Sequence, residues 1–338
     1  MSQTSQTSKT YACSVCGAIF STHTALGTHV LKTKHFKERE GSKAPNGVII
    51  LPVRASDYYV TSVPNTYVPQ REELKLIEAH MSNGVPLLFV GPKGTGKTLA
   101  FAYFAYITHT PIIQFDCSEG TKRLDLIGRF ILQGDEVKYV LGALPTAIEI
   151  ANQVGRAILV LEELNALTPQ MQKVLNQILD WRKHVYVPEL GLTYRLKPDA
   201  KLLIGATMNP STYGGVFELN EDLRSRFSEY YLGYPNEKKE DEIVTKLING
   251  ISPELRKMMI TLAIETRQGV NKGELSYALS TRDIVNFFKV YRSYCSVLST
   301  DDALKAALTV TVVNRYDDAS QRETVKQRIM SIFPNVRW

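Results

Sequence analysis

The residues best suited to chemistry begin at Gly91, in a glycine-rich segment that predicts a phosphate-binding loop. Its letters, GPKGTGKT, fit the spacing G-x4-G-K-[ST], between a strand-like apolar run over residues 86–90 and a helix-like run over 99–108. Glycines let backbone N–H groups curl around phosphate oxygens at the positive end of the following helix. The expected nucleotide contacts are Gly91, Pro92, Lys93, Gly94, Thr95, Gly96, Lys97, Thr98 and Leu99.

Two side chains of this segment and two later acids complete a predicted site for ATP and Mg²⁺. Lys97 is expected to reach the β- and γ-phosphates, and Thr98 to hold Mg²⁺. The run AILVLEE brings Glu162 and Glu163 to the end of a buried strand, the edge at which ligands bind in such sheets. Glu162 would organise Mg²⁺ through its water shell, and Glu163 would polarise the attacking water. The combination predicts ATP hydrolysis.

One asparagine and three arginines extend this predicted site. Asn209 follows the strand-like run 201–206, and its amide suits the orientation of a water beside the γ-phosphate. Arg224 and Arg226 come shortly after; arginines supplied to a neighbouring subunit's nucleotide contribute roughly 10³–10⁵ in rate. Arg282 opens a later helix-like segment, from which it could reach the phosphates of its own chain.

A second candidate site, near the N-terminus, has the ligand spacing of a Cys2His2 zinc finger. The predicted zinc ligands are Cys13, Cys16, His29 and His35. The positions of the small apolar core of such a finger hold Tyr11, Phe20 and Leu26. So few residues bury too little surface to fold alone, and bound Zn²⁺ would supply about 10–16 kcal/mol of apparent free energy. The pattern predicts a ββα finger over residues 11–36.

The role of this finger is open between two alternatives. The helix positions that read bases in similar fingers hold Thr22, Ala25 and Thr28, and none of these makes the bidentate contacts of Arg, Asn or Gln. That composition favours a structural or protein-docking finger. The other alternative is non-specific nucleic-acid contact within residues 11–43, through Lys32, Lys34, Lys37 and Arg39.

The elements that must position these groups show an α/β pattern. Short apolar runs cover residues 86–90, 111–115, 157–161 and 201–206, and helix-like segments alternate with them. This alternation is typical of buried parallel strands in a doubly wound α/β sheet. Beyond residue 235 the strand-like runs stop, and amphipathic helices are predicted over 237–249, 253–267, 280–298 and 301–313. Ser280 and Thr281, which precede Asp283, are the expected N-cap residues of the third of these helices.

The predicted organisation has five parts along 338 residues. We expect a disordered tail over residues 1–10, the zinc finger over 11–36 and a linker over 37–60. A P-loop α/β nucleotide-binding domain follows over residues 61–235, and a helical lid domain over 236–338. Of the formal net charge of +6, +4 lies in residues 1–43, so the remainder of the chain is nearly neutral. Four cysteines, two of them in the zinc pattern, exclude a secreted disulfide scaffold and favour the reducing cytoplasm. The longest apolar run, nine residues, predicts no membrane span.

Five motifs in order carry a resemblance to a known family: GPKGTGKT, ILVLEELN, GATMNP, LRSRF and LSTR. Together they resemble an AAA+ ATPase over about residues 60–300. Residues 128–144 and 184–196 resemble two hairpins of the MoxR/CbbQ group and its dynein-like relatives, the second being the pre-sensor hairpin. The chain departs from the family in its zinc finger and in Glu162, where the family usually has Asp.

The resemblance implies roles for residues of this chain. It implies that Lys97 is the phosphate ligand, that Thr98 is the Mg²⁺ ligand and that Glu163 is the catalytic carboxylate. Asn209 would be sensor one and Arg282 sensor two. The arginine finger corresponds to Arg224 or Arg226.

The leading functional prediction is an Mg²⁺-dependent ATP hydrolase that forms a ring, a homo-hexamer as in the family. It would remodel a macromolecular client, with a protein client or adaptor recruited by the zinc finger. Family members often work beside a von Willebrand A-type partner. One alternative is a DNA- or RNA-acting AAA+ motor that grips nucleic acid with its finger. The other is a zinc-finger regulator whose ATP site switches assembly without hydrolysis.

Overall fold

The structure, a computed structural model, describes residues 11–12, 19–20, 25, 42–61, 67–210 and 217–338. The predicted tail over residues 1–10 lies outside them, as do the predicted zinc ligands Cys13, Cys16, His29 and His35. The described residues divide into two compact units. The first unit consists of the described residues within Met1–Val63, Glu72–Val90 and Thr98–Tyr231. The second unit consists of the described residues within Pro64–Arg71, Gly91–Lys97 and Leu232–Trp338.

The described elements are numbered in chain order. The strands are β1 Tyr11–Ala12, β2 Ile19–Phe20, β3 Ser42–Lys43, β4 Ile49–Ile50, β5 Leu87–Val90, β6 Ile112–Asp116, β7 Gly128–Gln133, β8 Glu136–Leu141, β9 Arg156–Glu162, β10 His184–Val187, β11 Leu192–Arg195, β12 Lys201–Met208 and β13 Ser228–Tyr231. The α-helices are α1 Glu73–Asn83, α2 Lys97–Ile107, α3 Arg123–Ile127, α4 Ala143–Val154, α5 Pro169–Val174, α6 Asn176–Leu179, α7 Glu221–Arg224, α8 Glu237–Leu247, α9 Pro253–Asn271, α10 Thr281–Tyr294, α11 Thr300–Thr311 and α12 Ala319–Ile332.

A parallel sheet forms the centre of the first unit, as the α/β pattern predicts. Its strand order is β13-β5-β12-β9-β6, and every neighbouring pair is parallel. Residues 157–161 of β9 are all 0% exposed, which is typical of a parallel strand covered on both faces. The prediction lacked β13, because this edge strand has exposed residues at Ser228, Glu229 and Tyr231 and no continuous apolar run.

Both hairpins that the family resemblance implies are present in the first unit. β7 pairs antiparallel with β8 across a turn at Gly134, whose φ is +63°. β10 pairs antiparallel with β11, with Tyr186 opposite Thr193. The first hairpin belongs to a four-stranded sheet in the order β3-β4-β8-β7.

The described part of the predicted linker, residues 42–60, is not a free connection but part of the first unit. β4 extends the hairpin sheet in parallel register, with Ile50 opposite Tyr139. The buried residues of this segment, which join the apolar core of the unit, are Ala44, Ile50, Ala55 and Tyr59. Two-residue strands are too short to show the alternation that identifies a strand, so the charged, Gly- and Pro-containing sequence misled the prediction.

The C-terminal part of the second unit is helical, as predicted. α8, α9, α10 and α11 correspond to the predicted helices, and Ser280 caps α10 in a capping box with Asp283. α12 was not predicted. Only Val325 and Ile329 of this helix are buried, so its apolar stripe is too narrow to stand out in the sequence.

Candidate nucleotide-binding site

The phosphate loop, in the second unit, has the tight backbone that its glycines predict. Gly94 and Gly96 have φ of +78° and +87°, in the left-handed region that favours glycine. A Cβ at Gly91 would lie 2.1 Å from the carbonyl oxygen of Leu232, and one at Gly94 would lie 2.5 Å from Ser280 Oγ. Larger residues at these positions would therefore displace the loop.

Lys97 places a buried ammonium group at this loop. Its Nζ donates to the carbonyl oxygens of Gly91 at 2.7 Å and Pro92 at 2.8 Å, and the residue is 8% exposed. Gln70 Nε2 donates to the carbonyl oxygen of Thr95 at 2.6 Å and so helps to hold the curled backbone. A positively charged side chain within a glycine-rich turn suits an anionic ligand, so this loop fits nucleotide phosphates.

Thr98 and Glu162 meet at the edge of the parallel sheet in the first unit. Thr98 Oγ1 donates to Glu162 Oε2 at 2.9 Å, and Gln114 Nε2 donates to Oε1 at 3.0 Å. Burial raises the pKa of Glu162, and the negative charges of Asp116 and Glu163 raise it further. The hydrogen bonds from Thr98 and Gln114 lower this pKa but do not cancel the increase. A hydroxyl and a carboxylate crowded by other anions form a donor set that a hard cation stabilises, so these residues fit Mg²⁺.

Glu163 follows β9 on a strained backbone. Its φ is +51°, a left-handed conformation that costs a non-glycine residue about 1–3 kcal/mol and that clusters at functional sites. Its N–H donates to Thr207 Oγ1 at 3.3 Å, while the residue itself is exposed. The turn thus presents this carboxylate to solvent at the end of the strand, where it could act on a water molecule.

Asn209 lies directly after β12 and is 5% exposed. Its carbonyl oxygen accepts a hydrogen bond from Asn165 Nδ2 at 3.1 Å. Asn165 follows β9, the parallel neighbour of β12, so this bond ties together the segments that leave two adjacent strands. Asn209 and the acids therefore lie at the same edge of the sheet, as the sequence predicts.

Arg224 and Arg226 both form ion pairs within the first unit. Arg224, whose side chain is 60% exposed, donates to both oxygens of Glu229 at 2.6 and 3.1 Å. Arg226, 27% exposed, donates to Asp222 at 3.0 Å and lies 4.0 Å from an oxygen of Asp180. Of these two candidate arginine fingers, Arg224 is the more accessible.

Arg282 lies beside the phosphate loop within the second unit. It is the second residue of α10 and is exposed. Its Cβ lies 3.5 Å from the point that a Cβ on Gly94 would occupy. The predicted contact between Arg282 and phosphates of its own chain is therefore compatible with the geometry of this unit.

Three polar residues around these groups escaped the sequence prediction: Gln70, Gln114 and Thr207. Gln114 had a detectable signal, because it is the polar residue inside the apolar run IIQF of β6. Thr207 lies near the end of a predicted strand, as active-site residues of such sheets often do. Gln70 lies outside every motif, and only the folded chain brings it to Thr95.

The structure leaves the zinc prediction open. Among residues 42–61, 67–210 and 217–338 and the few described before them, no group of three or more His, Cys, Asp or Glu could hold a metal ion. β1 pairs antiparallel with β2, with Tyr11 opposite Phe20.

Over the same described residues, no helix has both the length and the apolar character needed to cross a membrane.

Two family models match the chain across nearly all of the candidate site. Residues 86–227 match the AAA domain of the dynein-related subfamily, and residues 240–332 match the CbbQ/NirQ/NorQ C-terminal region. With the phosphate loop, the parallel sheet and the helical C-terminal part, these matches define an AAA+ ATPase, an ATP-hydrolysing enzyme for which ATP and Mg²⁺ are the expected cofactors. Within that class, the chain belongs to the MoxR/CbbQ/NorQ group.

Individual proteins and one solved structure are similar to this chain over most of its length. The chain is 28% identical to protein CbbQ of Hydrogenophilus thermoluteolus over 68% of this chain and 82% of that protein. It is 27% identical to protein NorQ of Paracoccus denitrificans over 79% of this chain and 93% of that protein. A solved structure from Cytophaga hutchinsonii superposes with a TM-score of 0.42 at 20% identity over 80% of this chain and 91% of that one.

Proposed function

We propose that this chain binds Mg²⁺–ATP, hydrolyses it within a ring of identical subunits, and couples hydrolysis to remodelling of a macromolecular client. The observation that carries the proposal is the 2.9 Å hydrogen bond between Thr98 and Glu162. Thr98 directly follows Lys97, so a single peptide bond joins the phosphate loop to the hydroxyl–carboxylate pair suited to Mg²⁺.

Each polar group then has a chemical role. The loop backbone and Lys97 hold the β- and γ-phosphates, while Thr98 and Glu162 organise Mg²⁺. Glu163 polarises the attacking water, Asn209 orients it as sensor one, and Arg282 contacts the phosphates as sensor two. Bound Mg²⁺ neutralises charge that develops on the phosphate oxygens.

The unusual Glu at position 162 is compatible with hydrolysis. Its longer side chain still reaches the Thr98 hydroxyl at 2.9 Å and accepts from Gln114 at 3.0 Å. This geometry supports a working Mg²⁺ site and argues against the alternative of a regulator that binds ATP without hydrolysing it.

Replacing the catalytic carboxylate tests the proposal. Glu163→Gln keeps the size and polarity of the side chain but removes its negative charge, so kcat should fall by about 10²–10⁴ while ATP affinity changes little. Glu136→Gln, in the exposed turn region of the first hairpin, is the matched control and should leave kcat unchanged. Undiminished turnover in Glu163→Gln would contradict the assignment.

A homo-hexameric ring is proposed because an arginine finger acts on the nucleotide of a neighbouring subunit. Arg224 and Arg226 are both at the surface of the first unit, paired with carboxylates that a nucleotide of a neighbour could replace. ATP-bound Glu163→Gln is the form in which to measure ring mass by light scattering, because it retains the nucleotide.

A protein client or adaptor, or a von Willebrand A-type partner, fits the exposed surface of the first hairpin. Phe130, Leu132 and Val137 are 46%, 74% and 55% exposed there. Apolar side chains presented in this way are more typical of protein contact than of nucleic-acid contact.

The N-terminal segment is proposed as a zinc-bound recruiting arm, with Zn²⁺ held by Cys13, Cys16, His29 and His35. The antiparallel pairing of Tyr11 with Phe20 supports the ββ half of such a finger. The +4 charge of residues 1–43 favours a second candidate role, a grip on nucleic acid. Stimulation of the ATPase by DNA, with binding that weakens steeply as salt rises, would select that second role.

A further inference from the structure

A buried ion pair in the helical part of the second unit has no role in the chemistry proposed above. Glu240 of α8 is 0% exposed and Arg267 of α9 is 11% exposed. Arg267 donates to both carboxylate oxygens of Glu240, at 2.7 and 2.8 Å, and its guanidinium carbon lies 4.1 Å from the centroid of the Tyr234 ring. A buried pair adds little net stability compared with apolar residues, which raises the question of what this one holds in place.

The pair holds the segment that leads into α10. Arg267 Nε donates to the carbonyl oxygen of Leu279 at 2.8 Å, and Thr281 Oγ1 donates to Glu240 Oε1 at 2.6 Å. The N–H of Leu279 donates to Thr266 Oγ1 at 3.1 Å. Side chains of α8 and α9 therefore fix both backbone polar groups of Leu279 and the side chain of Thr281.

The capping box of α10 joins Ser280 to Asp283 and so fixes the residues on both sides of Arg282. Asp283 Oδ2 accepts from Ser280 N at 2.9 Å, from Ser280 Oγ at 2.6 Å and from Tyr277 Oη at 2.9 Å. Ser280 in turn lies against Gly94 of the phosphate loop. Arg282 is thus an exposed residue between two buried, anchored neighbours, Thr281 and Asp283.

We propose that the Glu240–Arg267 pair, acting through Thr281, positions the start of α10 so that Arg282 and Ser280 are held against the phosphate loop. Glu240, Arg267 and Thr281 are then positioning residues, and Arg282 is the group that contacts nucleotide. This inference rests on the function proposed above, in which Arg282 is sensor two.

The physical reason is that a guanidinium must be held to within a fraction of an ångström to act on a phosphate. A displacement of about 1 Å by a distant substitution can cost up to about 10²-fold in rate. α10 has no backbone hydrogen bonds to α8 or α9, because helical backbone groups bond within their own helix. Its position is therefore set by side-chain contacts: the apolar packing of Ile284, Phe287 and Phe288, and at its first turn the bond from Thr281 to Glu240.

The test removes one hydroxyl and compares it with a matched hydroxyl elsewhere in the same unit. Thr281→Val keeps the shape of the side chain but deletes its bond to Glu240. Thr281→Ser keeps the hydroxyl, and Thr311→Val deletes a buried hydroxyl that donates to the carbonyl oxygen of Ala307 at 2.7 Å, within α11. Each full-length variant is assayed for kcat and KM with Mg²⁺–ATP and for its melting temperature.

Thr281→Val should lower kcat/KM about tenfold, in the range expected for a displaced catalytic group, and Thr281→Ser should recover most of the loss. Thr311→Val should lose less than about twofold in kcat/KM, because the carbonyl oxygen of Ala307 keeps the backbone hydrogen bond of its helix and the phosphate loop is unaffected. Equal kinetic effects of Thr281→Val and Thr311→Val would overturn the inference, because the role of Thr281 would then be stability alone.

A double-mutant cycle decides whether Thr281 acts through Arg282. If it does, adding Thr281→Val to Arg282→Ala should cost little beyond Arg282→Ala alone. Fully additive losses would overturn the inference while leaving the proposed function intact. An unchanged ATPase in Arg282→Ala would contradict the sensor-two role itself, and with it the inference.

Discussion

The two units of the chain bring their interacting polar side chains together in different ways. In the first unit, Gln114 of β6 donates to Glu162 of the neighbouring strand β9, an inner strand of the sheet that is apolar throughout residues 157–161. In the second, Glu240 and Arg267 lie inside the helical core. Strands are joined by backbone hydrogen bonds, so strand pairing alone brings their ends together, whereas packed helices share no backbone bonds. Helices therefore depend on side-chain contacts for their relative position.

The strongest test of this contrast compares two ion pairs of the second unit. Glu240→Ala leaves Arg267 buried without its counter-ion, and should cost about 3–5 kcal/mol of unfolding free energy. Asp241→Ala breaks the pair of Asp241, 45% exposed, with Arg256, 13% exposed. It should cost less than Glu240→Ala, because the lost carboxylate is solvated and Arg256 keeps its bond to the carbonyl oxygen of Ile251 at 2.7 Å. Denaturant unfolding of both variants measures the difference. Equal losses would mean that burial of the first pair adds nothing.

The first unit should instead be sensitive to the packing of its sheet. At Gly205 of β12, an added Cβ would lie 2.7 Å from the ring of Phe101, which is fully buried. Gly205→Ala should therefore destabilise the chain by about 1–3 kcal/mol through overpacking. Gly120→Ala, where the nearest neighbouring atom is Ser118 Oγ at 3.8 Å, is the control and should be nearly neutral. If the two variants melted alike, tight packing at this sheet could not be what sets its stability.

The smallest expected effect concerns the acid at the edge of the sheet. Burial raises the pKa of Glu162 above its ordinary value of 4.5, so the charged form is disfavoured in the folded state. The stability contributed by the protonated form is complete below pH 4.5 and is lost as pH rises through the raised folded-state pKa. Without Mg²⁺, the melting temperature of Glu162→Gln relative to the natural chain should therefore increase as pH rises from about 4 to 7. A pH-independent difference would indicate that Glu162 titrates normally.

Local patterns predicted much of both units. The sequence predicted the phosphate loop, four strands of the sheet and the cap at Ser280. Each of these features depends on residues that are close together in the chain, so the local sequence is enough to recognise it. β13 and α12 escaped prediction because an exposed edge strand and a helix with two buried residues bury too little to leave a periodic pattern.

Residues 42–60 show the same limit in another form. Asn46 Nδ2 donates to the carbonyl oxygen of Glu189 at 3.1 Å, and Arg123 donates to the Glu189 carboxylate at 2.7 Å. These bonds join the supposed linker and the helix before the first hairpin to the turn of the second. Partners 143 and 66 residues apart in the chain leave no local signal in the sequence.

By itself, the sequence indicated the AAA+ class and predicted the phosphate loop and Glu163 as the catalytic carboxylate, because motif spacing and local sequence pattern carry these predictions. Only the tertiary structure decided that Gln70 meets Thr95, 25 residues later, and that Glu240 meets Arg267 and Thr281. Such contacts arise because burial of apolar surface packs distant segments together, and the polar side chains enclosed by that packing must then bond to one another.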